Sequence, residues 1–102
     1  MRTLPLLMAL AAATPALAQP TAADLQRRTL AAACAQCHGT AGKAIKSAVL
    51  PSIAGMPAAY IEAQMKAFKN GSRPATVMHQ IAKGYSDAQI AELAAYFAAQ
   101  PR

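Results

Sequence analysis

Two cysteines and a histidine carry the chemistry of this sequence. They stand together in Cys34-Ala35-Gln36-Cys37-His38-Gly39. A Cys-x-x-Cys-His run has the spacing of a covalent attachment site for haem. Two thiols about one helical turn apart can add to the two vinyl groups of one porphyrin. The histidine after Cys37 is then held under the ring, where an imidazole nitrogen can bind iron. Plainer readings exist. A Cys34–Cys37 disulfide would close a very short, strained loop, and the stabilisation a disulfide brings grows with loop length. A thioredoxin-like pair needs strand–helix–strand surroundings, which do not flank the motif. A structural zinc site needs four ligands. Cys34, Cys37, His38 and His79 are the only cysteines and histidines, and His38 abuts Cys37 too closely. Only haem requires a histidine fixed beside the second cysteine.

The elements that must position this motif are helical. Thr21 to about Gln36 reads as a first helix, with Thr21 and Asp24 in near capping-box spacing. Leu30, Ala33, Cys34 and Cys37 recur at helical spacing, which predicts both cysteines on its buried side. Gly39 and Gly42 end it in a loop, and Pro51 and Gly55 punctuate an irregular stretch. Pro57 suits the first position of a second helix, with Met56 as a poor N-cap. Ile61, Met65 and Phe68 form its apolar face beside Tyr60, and Asn70-Gly71 stops it. Residues 73–84 read as a loop containing Met78, with a short helical turn after it. Ser86 and Gln89 then cap a last helix with Ile90, Leu93, Ala94 and Phe97 on its apolar face. There are no strand signals of any weight.

Residues 1–18 are predicted to be a secretory signal peptide, and residues 19–102 the folded domain. Arg2 gives a positive start, Leu4 to Ala13 an apolar run, and Ala16-Leu17-Ala18 a small-x-small cleavage signature. The alternative is a retained anchor, for which the apolar run is too short to span a bilayer. The expectation is a periplasmic protein with no membrane span after cleavage. A core of this size usually needs a staple, and a covalent haem is one. The formal charge of +6 falls to +5 without Arg2. With no nucleic-acid motif, that excess points to redox proteins with acidic docking surfaces.

Three helices, Cys-x-x-Cys-His closing the first, and a methionine loop before the last resemble a class I c-type cytochrome of the small bacterial monohaem kind. The stretch Ile81-Ala82-Lys83-Gly84-Tyr85-Ser86-Asp87 is similar to the haem subunit of flavocytochrome c sulfide dehydrogenase. The resemblance implies an all-α cytochrome c fold around one covalent haem c, with thioethers at Cys34 and Cys37 and His38 as proximal ligand. It also implies that the Pro51 carbonyl accepts a bond from that histidine. Met56 stands where many relatives carry a polar residue. For the sixth ligand, Met78 lies in a loop free to fold over the other face of the ring, with His79 and Met56 as alternatives. Met65 is in register with core residues. Arg73 and Tyr60 are candidates for a propionate contact, against a solvated arginine and a core tyrosine.

With both axial positions filled, the expected task is one-electron transfer between redox proteins, without catalysis at the iron. The alternatives are a haem subunit taking electrons from a flavoprotein that oxidises sulfide, and a five-coordinate peroxidatic or ligand-binding haem protein.

Overall fold

A computed structural model describes residues 17–102, so nearly all of the expected signal peptide lies outside the described residues. Helix α1 spans Ala22–Ala32, α2 Ala35–His38, α3 Ala58–Asn70, α4 Met78–Lys83 and α5 Asp87–Ala98, with a 3-10 turn at Thr40–Gly42. Among the described residues there is no strand, and no helix is long and apolar enough to cross a membrane. The expected three main helices are α1, α3 and α5.

The N-terminal signals act as the sequence predicts. Thr21 and Asp24 form a complete capping box on α1, and Ser86 and Gln89 form another on α5. Gly71 closes α3 in the left-handed conformation, φ 83°. Two boundaries differ. Pro57 is the N-cap of α3 and not its first residue, because its carbonyl already accepts from the N–H groups of Tyr60 and Ile61. The first helix does not run unbroken to Gln36. At Cys34 the N–H turns back to Ala31 at 3.1 Å, a tightened i→i−3 bond, and α2 restarts beyond it. Cys34 is half-buried and Cys37 more exposed, and both line the same cavity of the fold.

The core lies where α5 meets α1 and α3. Ile90, Leu93, Ala94 and Phe97 of α5 are buried against Ile61 and Met65 of α3 and Ala31 of α1, with Ala82 of α4 fully enclosed. Fully burying side chains of this kind is worth about 1.5–3 kcal/mol each. These contacts fix α3, α4 and α5 as one body, with α1 laid across α5.

Candidate functional site

A cavity of about 460 Å³ opens among α2, α3, α4 and the segment before α3. That lies in the usual range of cofactor pockets, roughly 300–1,000 Å³. Its wall is mainly apolar, built on Ile61, Met65, Phe68, Leu93 and Phe97. Cys34, Cys37 and His38 form one part of the wall, and Met78, the first residue of α4, forms another.

His38 is held by one bond. Its Nδ1 lies 2.7 Å from the carbonyl oxygen of Pro51. A carbonyl can only accept, so Nδ1 carries the proton, and the lone pair of Nε2 is left for a metal. A ligating histidine normally donates its other ring N–H in this way, which fixes the ring and raises its basicity. Pro51 is itself anchored through its neighbours. The Gly42 carbonyl accepts from the N–H groups of Ile53 and Ala54 at 2.8 and 3.0 Å. It also accepts from the Ser52 hydroxyl at 2.9 Å. The Gly55 N–H donates to the Phe97 carbonyl at 2.8 Å, tying the segment to α5.

Burial pushes the Cys34 thiol up, and does the same to the Tyr85 phenol beside the cavity. Both cysteines are free.

Of the remaining sequence candidates, Tyr60 and Arg73 both line the cavity. The Arg73 guanidinium lies over the Phe68 ring at 4.6 Å and donates to Gln64 Oε1. Met56 and Met65 also reach the wall. His79 does not: it lies outside the lining, and its Nδ1 is buried without a hydrogen-bond partner. Gln64 is a site residue that sequence reasoning missed. Its signal is the i, i+4 spacing from Tyr60 on the cavity side of α3.

The donors fit haem c. Two thiols and an imidazole freed at Nε2 share one wall of an apolar cavity, and a thioether stands on a different element. Among the described residues no group of three or more His, Cys, Asp or Glu side chains could hold a bare metal ion.

The family model described as cytochrome C oxidase, cbb3-type, subunit III matches residues 21–97. The chain is 45% identical to the cytochrome subunit of sulfide dehydrogenase from Chlorobaculum tepidum, over 84% of this chain and 74% of that protein. It is 39% identical to cytochrome c-554(548) from Halomonas halodenitrificans, over 66% of this chain and 83% of that one. The solved cytochrome c4 of Acidithiobacillus ferrooxidans superposes with a TM-score of 0.60 at 41% identity, covering 65% of this chain. The chain spans only 37% of that longer cytochrome. Matched along nearly all of its helical part, and sharing the cytochrome fold, the chain belongs to the family of c-type cytochromes.

Proposed function

We propose that this chain is a periplasmic one-electron carrier holding a single covalent haem c between His38 and Met78. The observation that carries the reading is the 2.7 Å bond from His38 Nδ1 to Pro51, made on the same wall as Cys34 and Cys37. When bound, haem c supplies an iron that changes oxidation state by one electron. The residues then divide the work. Cys34 and Cys37 fix the ring by thioether bonds. Pro51 orients His38, and Met78 supplies a sulfur that favours the reduced metal and raises the potential. Met78 is preferred over Met56 because it opens α4, an element separate from the segment that carries Pro51. Phe97, Leu93 and Ile61 keep water from the cavity. Arg73, steadied by Gln64 and Phe68, and Tyr60 would meet the propionates, a role supported by their both lining the cavity.

A second reading has a specific support. The 45% identity to a cytochrome subunit of sulfide dehydrogenase suggests a chain that takes electrons from a flavoprotein within an enzyme complex. Sizing the native protein from a periplasmic extract separates the two. A free carrier elutes as a monomer, whereas a subunit co-elutes with a flavin-containing chain. Carbon monoxide tests whether His38 and Met78 would both hold the iron. The ferrous spectrum should not change on its addition, and a shifted Soret band would replace the carrier with an open-site haem protein.

A further inference from the structure

The charge on this surface is unevenly spent. The sequence has four acidic residues, and each is engaged. Asp24 and Glu92 both bind Arg27, Glu62 binds Lys66 at 2.6 Å and Asp87 binds Lys69 at 3.0 Å. No carboxylate side chain occurs anywhere between Asp24 and Glu62. The loop after the haem motif therefore carries its cations uncompensated by any acidic side chain of that stretch.

Lys43 and Lys46 are exposed. The Lys43 ammonium donates to the main-chain oxygen of Arg102 at 2.9 Å. The Arg102 guanidinium in turn donates to the Gly55 carbonyl at 3.1 Å. The same stretch of chain carries two large apolar side chains that are left largely exposed: Ile45 at 74% exposure and Val49 at 99%. Neither lines the haem cavity, so haem does not cover them either. The next residues lead straight to the site. Leu50 is in the cavity wall, and Pro51 holds His38.

Single exposed hydrophobics are ordinary. An apolar centre with a charged rim has instead the anatomy of a protein interface. Because the rim carries one sign only, it selects its occupant. A second copy would bring the same positive charge to the contact and be repelled, while an acidic surface would be steered in.

We propose that residues 43–49, together with Arg102, form the docking surface for an acidic electron-transfer protein. Its apolar contact area covers Ile45 and Val49, and its carboxylates meet Lys43, Lys46 and Arg102. Docking there sets the partner beside Leu50 and Pro51, on the His38 side of the cavity. The inference rests on the carrier reading and names the face that carrier uses.

The test is an amide-shift titration of the haem-loaded, isotope-labelled protein with oxidised flavodoxin as the acidic probe, at about 10 mM and about 200 mM salt. The expected shifts fall on residues 43–50 and Arg102, and they fade at the higher salt. Lys46→Glu and Val49→Ser should each weaken binding at least about fivefold. Lys83→Gln, at an exposed cation on α4, should leave it unchanged. Largest shifts on α4 would overturn the proposal, as would equal binding by Lys46→Glu and wild type. So would shifts that follow the protein's own concentration without probe, or loop-dependent binding to phosphatidylglycerol vesicles with none to flavodoxin. A pyridine haemochrome spectrum of the same sample separates the two levels. Absence of covalent haem sinks the carrier reading, whereas a haem-loaded protein whose loop ignores flavodoxin sinks only the docking surface.

Discussion

Gly42→Ala should be far more damaging than Gly71→Ala, although both glycines adopt a positive φ, 78° and 83°. Placing alanine in the left-handed region costs about 1–2 kcal/mol at either position. At Gly71 the new methyl meets nothing within 4 Å. At Gly42 it would stand 2.7 Å from Phe97 Cδ1 and 2.8 Å from Ile53 Cγ1. Phe97 is only 2% exposed and cannot swing aside. Overpacking of this kind adds about 1–3 kcal/mol, giving about 2–5 kcal/mol in all. The same displacement would strain the Gly42 carbonyl, which holds Ser52, Ile53 and Ala54, and through them the Pro51 bond to His38. Urea unfolding of the haem-loaded protein reads the difference. With a slope of about 1 kcal/mol/M, the midpoints of the two variants should separate by roughly 1–3 M. A double-mutant cycle with Phe97→Leu should show coupling to Gly42 and none to Gly71. Equal midpoints, or a zero coupling at Gly42, would refute the packing argument.

The ferric protein should show the weak near-infrared band of a methionine-ligated haem. Met78→Ala should abolish that band and lower the potential, while Met56→Ala keeps both. In haem-free protein a thiol reagent should modify the exposed Cys37 before Cys34, as peptide mapping after brief alkylation would reveal. The Lys69 ammonium holds the Asp87 carboxyl below its ordinary value, so the folded state binds that proton less readily than the unfolded chain. The stability this supplies is present above the ordinary carboxylate range and is lost as pH falls through the lowered value. Urea midpoints of Asp87→Asn should therefore fall less steeply than those of wild type below about pH 4.

Much of this was legible because it is local. The Cys-x-x-Cys-His spacing names its cofactor, and both capping boxes and the Asn70-Gly71 stop lie within a few residues of the ends they set. The Pro51 carbonyl, which only the family resemblance pointed to, lies 2.7 Å from His38 Nδ1 across 13 positions of chain. What failed depended on a bond of unusual register. No propensity marks Cys34 N–H turning to Ala31, yet with that bond the first helix ends at Ala32 and a second begins at Ala35. The left-handed Ala41, φ 53°, was equally invisible, since alanine does not favour that region. Gln64 was missed because a polar residue on a helix ordinarily reads as a wet face. Its role is apparent only once Arg73 is seen folded back over Phe68. The charge excess was legible as a total, but which cation each carboxylate takes is a property of the fold.

The central claim is that Cys34 and Cys37 hold one haem covalently in this cavity. Intact-mass spectrometry of the denatured protein, after acid–acetone extraction, tests it most directly. The account predicts the mass of the chain plus one haem for wild type, and the bare chain for the Cys34→Ala, Cys37→Ala double variant. Haem lost from wild type on extraction, or retained by the double variant, would contradict it.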